Sequence, residues 1–199
     1  EHDHAQLLFT SGNLKKKFYK EEYKDYNSFM ACISYQATWR SAFAIWRNDF
    51  EIISNSGINP DTMFPHTSYL HKVINKERYV VDNYPYIHNV EPKKKGGYNL
   101  IDNFVRIYLT MVEIDLLDNK IITQKTYRRI EKDILRFCAE WYYITTENPQ
   151  KYTFSFDDAE KIINDRCGKD GVKKYRLFLI RRNIVHIILL IKNIIRDFK

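Results

Sequence analysis

The sequence predicts an all-α fold, a single helical domain built as a bundle of four to five principal helices. Helix-breaking residues are few, since the 199 residues include only 6 Gly and 5 Pro. Apolar residues also recur every three or four positions through several long stretches, which is the period of one helix face. Nothing alternates with the two-residue period of a long strand, so we expect at most a minor β pair, formed by residues 79–81 and 152–154.

The first half of the chain predicts one long helix between two irregular segments. Residues 1–27 are expected to form an irregular lead-in. Ser28 can cap a helix that reaches Ile53. Within it, Trp39 and Trp46 are seven positions apart and therefore share one side, as core residues do. Residues 58–97 hold four of the five prolines and are expected to form an irregular insertion with room for a short helix.

The second half predicts further helices separated by short turns. One apolar stripe covers residues 99–117, and a second helix, capped by Thr123, reaches Ile144. Ser155 can cap a shorter helix that reaches Arg166 and stops in the glycine-containing segment 167–171. Residues 172–199 form the C-terminal helix.

The C-terminal helix is both the most basic and the most apolar part of the chain. Residues 169–199 contain nine Lys or Arg and two Asp, which gives a local net charge of +7. This equals the net charge of the whole protein. Its longest uncharged apolar run, residues 187–191, is far too short for a membrane span. We therefore expect the helix to be buried in a bundle or against a second copy. Its apolar face comprises Leu177, Ile180, Ile184, Ile187, Leu190, Ile191, Ile194, Ile195 and Phe198.

Within this helix, residues 181–186 read Arg-Arg-Asn-Ile-Val-His. Arg followed five positions later by His resembles the motif of the HEPN family, helical domains that are often metal-independent ribonucleases. The resemblance implies that His186 acts as acid or base, and that Arg181 or Arg182 holds the scissile phosphate. Asn183 would orient or polarise the substrate. The family favours Asn directly after the Arg, where this chain has Arg182, so the choice between the two arginines stays open. The resemblance also implies a homodimer, in which two motifs meet in one cleft.

Two further groups of basic residues are candidates for binding RNA phosphates. Lys93, Lys94 and Lys95 lie in a basic loop that ends in two glycines. Lys173, Lys174 and Arg176 begin the C-terminal helix. An ordinary solvated loop explains the first group equally.

The sequence predicts no metal site and no cofactor. His66, His71 and His88 are not spaced for one helix face and have no HExxH partner. Glu113 and Asp115 could line a groove or simply face solvent. The three cysteines, Cys32, Cys138 and Cys167, form no CxxC pair, which is typical of free thiols in a reducing compartment such as the cytoplasm. Since the chain does not begin with Met, we expect a processed product or a fragment.

Two functions from different classes follow. The first is an RNA-directed HEPN-like protein, a metal-independent endoribonuclease of the toxin or defence type. The alternative is a non-enzymatic helical protein-interaction module, part of a larger assembly, whose last helix docks on a partner. Binding of RNA without cleavage lies between them and predicts a salt-sensitive affinity that survives the loss of His186.

Overall fold

The computed structural model describes residues 4–14, 18–39, 42–58, 62–86 and 93–197, with the side chains of the last helix described up to Ile184. The chain divides into two compact units. The first consists of Glu1–Glu91 and Tyr108–Ile130, and the second of Pro92–Ile107 and Glu131–Lys199.

The first unit contains a four-stranded mixed sheet. Its strands are β1 (Gln6–Phe9), β2 (Lys20–Tyr23), β3 (Phe43–Ala44) and β4 (Tyr79–Asp82). The strand order is β2-β4-β1-β3, in which β1 and β4 are parallel and the outer strands are antiparallel to their neighbours. Leu8 and Val81 pair across β1 and β4, and both are fully buried.

Helices accompany this sheet in the first unit. They are α1 (Tyr26–Ile33), α2 (Arg47–Ser54) and α3 (Pro65–Lys72), and a 3₁₀ turn, Ser34–Thr38, follows α1. Helix α1 packs on β4 through aromatic side chains. The rings of Tyr26 and Phe29 lie 5.4 and 5.5 Å from the ring of Tyr79, measured between centroids.

The sheets show that the predicted all-α helical bundle is wrong. The lead-in 1–27 contains β1 and β2, and the insertion 58–97 contains α3 and β4, so neither is irregular throughout. The two predicted β segments are both strands, but they belong to different sheets and do not pair with each other. The reason is strand length, because four-residue strands are too short to display a period that separates them from helix.

The predicted helix 28–53 is also wrong, because two helices and a strand replace it. Asp25 caps α1 by accepting a hydrogen bond from the Ser28 amide at 2.8 Å. The helix ends where Ser34 adopts φ 50° and ψ −124°, a backbone conformation that no helix tolerates. Trp46 lies just before α2 and donates its indole N–H to the Ala5 carbonyl at 2.7 Å.

The long helical region after residue 100 is partly wound as π-helix. Asp102–Tyr108 and Glu113–Leu117 are π-helical and enclose a short α4 (Leu109–Val112). Helix α5 (Gln124–Glu147) follows, and the Thr123 hydroxyl accepts a hydrogen bond from the Thr126 amide at its start, as predicted for a cap. The predicted helical stretches 99–117 and 123–144 are therefore confirmed as helical, although nothing in the sequence signalled the π winding.

The second unit contains a two-stranded parallel sheet of β5 (Lys95–Asn99) and β6 (Tyr152–Ser155), together with the last helix, α6 (Ala159–Asp197). Phe137 and Trp141, on α5, contribute to an aromatic core. The Phe104 and Phe137 rings are 4.8 Å apart, and the Trp141 and Phe154 rings are 5.2 Å apart. Cys138 is buried beside them, and burial raises the pKa of its thiol.

Candidate protein-interaction face

Helix α6 is longer than the sequence predicted, because the glycines at 168 and 171 do not stop it. Gly168 alone leaves helical geometry, with φ 68° and ψ −176°, and the helix resumes after it. Gly171 is buried in the continuing helix, where a Cβ would lie 2.4 Å from the Cβ of Cys167. These glycines therefore allow a kink and a close approach rather than a helix end.

One face of α6 packs inside its own unit and a second apolar face does not. Ile163 and Tyr175 are buried. In contrast, Leu177, Ile180 and Ile184 are 63%, 54% and 51% exposed. Their spacing of three and four residues places them in one row, which we call the exposed stripe. Within the described part of α6, the expectation that this face is buried in a bundle is not met by contacts inside the chain.

The cations at the start of the C-terminal helix have acidic partners within the second unit. The Arg176 guanidinium donates two hydrogen bonds to the Glu160 carboxylate, at 2.6 and 2.5 Å. The Lys174 ammonium lies 3.3 Å from the carboxylate of Glu131, which is buried. Lys173 lies 3.5 Å from Asp170, with both side chains exposed. The three cations that the sequence offered here as phosphate ligands are therefore each paired with a carboxylate.

The Arg176–Glu160 pair gives a prediction that pH can test. The hydrogen bond from Arg176 holds the pKa of the Glu160 carboxyl below its ordinary 4.5. A lowered carboxyl pKa contributes stability above the ordinary pKa, and that contribution is lost as the pH falls through the folded-state value. We expect Arg176→Ala to move the Glu160 titration up toward 4.5, as followed by NMR of the carboxyl carbon. An unchanged midpoint would show that the pair does not form in solution.

The hexapeptide with the HEPN resemblance is described only in part. Arg181 and Asn183 are exposed, while the Arg182 guanidinium lies over the Tyr143 ring, 5.5 Å from its centroid. The side chain of His186 lies outside the described residues, so its position relative to either arginine is not part of the structure. The stack on Tyr143 distinguishes the two arginines, because it leaves Arg181 as the more exposed one.

The predicted lysines of the 93–95 loop lie at one end of the two-stranded sheet. Lys93 and Lys94 are exposed, and Lys95 begins β5 with its ammonium 4.7 Å above the Trp141 ring. The Lys95 amide donates to the carbonyl of Lys151, whose own ammonium lies 5.3 Å from the Tyr152 ring centre. The structure thus adds a fourth lysine and aromatic rings to this group, which the sequence order concealed. We call Lys93, Lys94, Lys95 and Lys151 the lysine end.

The first unit also contains an ion pair between a buried histidine and a half-buried aspartate, which the sequence did not indicate. His71 Nδ1 lies 2.8 Å from an Asp115 carboxylate oxygen, and His71 Nε2 is buried with no hydrogen-bond partner among the described residues. A carboxylate in this position fixes the imidazole tautomer and the orientation of the ring. However, the His71 side chain is buried, so it is not placed to act on a substrate from solvent. The 44 residues between the partners explain why the sequence gave no signal for the pair.

The other two histidines considered in the sequence analysis, His66 and His88, are not part of the His71–Asp115 pair in the described structure. His66 Nε2 lies 2.6 Å from the Thr38 carbonyl, and His88 lies outside the described residues. Among the residues that the structure describes, no group of three or more His, Cys, Asp or Glu side chains could hold a metal ion.

Glu113 and Asp115 begin the second π-helical segment. The Asp115 carboxylate contacts His71. The interpretation that this side chain simply faces solvent is therefore wrong for Asp115.

No helix within the described ranges combines the length and the apolar character that a membrane crossing requires.

Comparison with known proteins gives no relative from which a role could be transferred. No protein-family model, no curated protein and no solved structure matches the chain. The function must therefore be argued from the exposed stripe, the lysine end and their surroundings.

Proposed function

We propose that the chain is a protein-interaction module that binds a partner protein through the exposed stripe of α6. The observation that carries this proposal is the exposure of Leu177, Ile180 and Ile184, each by more than half. A single exposed aliphatic side chain is ordinary on a protein surface, whereas a contiguous row of them marks an interaction site.

The spacing of the stripe fits a known mode of recognition. Positions i, i+3 and i+7 are the anchors by which an amphipathic helix enters an apolar groove or packs on another helix. The opposite side of the same helix is already anchored by Tyr175, which is buried. The stripe is therefore held on a fixed helix, so that little conformational entropy is lost when a partner covers it.

The charges near the stripe support a protein partner over a polyphosphate one. Arg176 and Lys174 are held by carboxylates, and releasing either to bind phosphate would leave Glu160 or Glu131 with one partner fewer. For Glu131 this is unfavourable, because the carboxylate is buried. Burying the apolar side chains of the stripe against a partner protein is favourable and does not require either ion pair to break.

Site-specific photo-crosslinking in the producing cells tests the proposal. Ile184→p-benzoylphenylalanine places the reactive group on the stripe, and the same substitution at Asn164, an exposed polar position earlier in α6, is the matched control. We expect ultraviolet light to give protein adducts from position 184 and none from 164. Adducts to RNA alone, or equal adducts from both positions, would overturn the proposal.

A second candidate function is the binding of single-stranded RNA at the lysine end. The observation that favours it is that the ammonium of Lys95 lies over Trp141 and that of Lys151 over Tyr152, with exposed Lys93 and Lys94 next to Lys95 in the sequence. Ammonium groups with aromatic rings are the usual means of holding phosphates and stacked bases. Exposed Lys93 and Lys94 are free of any role in the sheet ladder, which begins at Lys95.

The RNA candidate predicts a change in salt dependence. We expect Lys93→Ala combined with Lys94→Ala to weaken binding of an unstructured RNA oligonucleotide and to reduce the slope of log K against log salt by roughly 1.4, about 0.7 for each phosphate contact. Lys120→Ala, at an exposed lysine outside the lysine end, is the control. An unchanged slope would remove the lysine end from consideration. Incubation of total RNA with EDTA and with the His186→Ala variant tests in parallel whether the HEPN-like hexapeptide cleaves RNA.

A further inference from the structure

Three aromatic side chains of the first unit form an exposed row beside the start of β2 and the end of β4, where Lys20 lies opposite Asp82. Phe18, Tyr84 and Tyr86 are 57%, 39% and 65% exposed. The centroid of the Tyr84 ring is 6.2 Å from that of Phe18 and 5.8 Å from that of Tyr86. We call these three rings the aromatic platform. It belongs to the first unit and includes no residue of the exposed stripe.

A proline turn holds the two tyrosines of the platform together. Pro85 separates them, and the Tyr86 amide donates a hydrogen bond to the Tyr84 carbonyl, two residues back, at 2.9 Å. This is a γ-turn, and the fixed φ of proline suits its central position. The Tyr84 amide in turn donates to the Asp82 carboxylate at 3.1 Å. The turn therefore fixes the backbone from which the two rings project.

A buried asparagine attaches the platform to the sheet. Asn83 is fully buried, and its Oδ1 accepts a hydrogen bond from the Thr10 hydroxyl at 2.6 Å. Its backbone amide donates to the carbonyl of Tyr19, the residue after Phe18, at 2.9 Å. The Phe18 ring lies against Gly12, where an added Cβ would be 3.1 Å from it. Because the platform is held in place by these contacts, little conformational entropy is lost when a ligand covers it.

We infer that the aromatic platform binds a proline-rich segment of a partner protein in the polyproline II conformation. Such segments dock on surfaces lined by aromatic rings. The polyproline II helix has three residues per turn and rises about 3.1 Å per residue, so prolines three positions apart lie about 9 Å apart on one face. The outer rings of the platform are separated by up to about 12 Å, which accommodates two prolines at this spacing.

The two tyrosine hydroxyls supply the polar contacts that this ligand needs. A polyproline II helix makes no internal hydrogen bonds, so its carbonyl groups remain available as acceptors. Neither the Tyr84 hydroxyl nor the Tyr86 hydroxyl has a hydrogen-bond partner among the described residues. Each can therefore donate to a carbonyl of the bound segment while its ring contacts a proline.

The area of the platform fits a short peptide rather than a globular partner. Aromatic side chains bury about 150 to 250 Å² each, so the exposed parts of these three amount to roughly 250 to 400 Å². Stable interfaces between folded proteins bury about 800 Å² per partner. A second copy or another globular protein would therefore need further surface, whereas a segment of four residues would not.

The described surroundings favour a proline-rich segment over a nucleic acid or a sugar. The Asp82 carboxylate lies next to Tyr84 and repels a phosphate, and Lys20, opposite it, balances that charge without reversing it. A sugar needs several hydrogen-bonding side chains, but Asn83 is already bonded to the fold. Strand β2 lies at the edge of its sheet, and its sequence Lys-Glu-Glu-Tyr is too charged to favour addition of a peptide strand.

NMR titration of the ¹⁵N-labelled full chain with acetylated decaproline tests the inference. We expect shifts at the amides of the platform and a dissociation constant of about 0.1 to 1 mM, because the apolar area is small and association has its own entropic cost. Tyr86→Ala should raise this constant about fivefold or more, and Tyr86→Phe, which keeps the ring, by less. Phe50→Ala is the control and should leave it unchanged, since Phe50 is a similarly exposed aromatic residue of the first unit, 63% against 65%.

Other results would overturn the inference. These are no shift at millimolar decaproline, equal binding of a Gly-Ser peptide of the same length, or binding that Tyr86→Ala leaves unchanged. Shifts at the platform with oligouridylate or maltohexaose, absent with decaproline, would assign the rings to a nucleic acid or a sugar instead. None of these variants alters α6, so photo-crosslinking from position 184 tests the proposed function independently.

Discussion

Replacing Lys76 with Met is expected to lower the free energy of unfolding of the first unit by about 3 to 5 kcal/mol. The Lys76 ammonium lies 2.5 Å from the Asp49 carboxylate, and the two side chains are only 12% and 7% exposed. Met retains most of the volume of Lys but leaves Asp49 as an unpaired charge away from water. The position of Asp49 in the first turn of α2 offsets a small part of this cost through the helix dipole.

An exposed ion pair of the same unit supplies the control. Arg78 and Glu22 also form an ion pair, at 3.2 Å, but their side chains are 42% and 50% exposed. Glu22→Gln should therefore cost less than about 1 kcal/mol. Urea denaturation of both variants, followed by a probe in the first unit, measures the difference. Equal losses for Lys76→Met and Glu22→Gln would show that the Lys76–Asp49 pair is hydrated in solution.

The double substitution Lys76→Met with Asp49→Leu separates burial from pairing. Removing both charges avoids the unpaired carboxylate, so we expect the double variant to recover most of the stability that Lys76→Met loses. If it recovers none, the loss comes from packing around Lys76 rather than from the charge of Asp49.

The long helices could be predicted from the sequence because their evidence is local. Helix α5 repeats its apolar positions over 24 residues, and the Thr123 cap is a side chain three residues from its partner amide. Helix α6 was predicted in two pieces, since Gly168 and Gly171 are ordinary helix-end residues. Whether such a glycine ends a helix or only kinks it depends on what packs around it, and this information is not local.

The sheet of the first unit could not be predicted for the opposite reason. Strand β1 acquires its hydrogen bonds from β4, whose residues lie more than 70 positions later, as in the pairing of Leu7 with Val80. Four residues such as Gln6–Phe9 carry too little pattern to reveal this pairing. The break at Ser34 is equally hidden, because serine is not a residue that normally marks a positive φ.

In the candidate sites too, the local sequence pattern could be predicted, but the features that depend on distant parts of the chain could not. The apolar row of α6 is visible in the sequence, but its exposure is not, because exposure depends on what the rest of the fold covers. Of the two expectations for this face, burial in a bundle is not found at Leu177, Ile180 and Ile184, whereas burial against a second copy stays a prediction. The lysine end likewise needs the parallel pairing of β5 with β6, which brings Lys151 beside Lys95 from 56 positions away.

The second large effect is expected from Gly96→Ala in β5. Gly96 has φ +138°, and an added Cβ would lie 2.5 Å from the backbone carbon of Thr153 in β6. The strands must separate to accept it, so we expect the second unit to lose about 2 to 5 kcal/mol, part from the backbone conformation and part from the clash. Hydrogen exchange of the β5 and β6 amides should show the loss of pairing directly.

Gly97→Ala isolates the steric part of this effect. Gly97 also has a positive φ, +82°, but an added Cβ would meet no atom within 4 Å. Its replacement should cost only about 1 to 2 kcal/mol, from the backbone conformation alone. If the two alanine variants were equally stable, the close approach of β5 and β6 at Gly96 would not exist in solution.

The same pair of variants connects the fold to the two functional candidates. Separating β5 from β6 moves Lys95 away from Lys151 and dissolves the lysine end, so Gly96→Ala should weaken RNA binding more than Gly97→Ala if that end binds RNA. The exposed stripe lies on α6 and includes no residue of either strand. Binding of a partner protein through the stripe should therefore survive Gly96→Ala as long as α6 remains folded, while Ile184→Asn should weaken that binding and leave the lysine end intact. Opposite losses in these two variants would assign each surface its own partner.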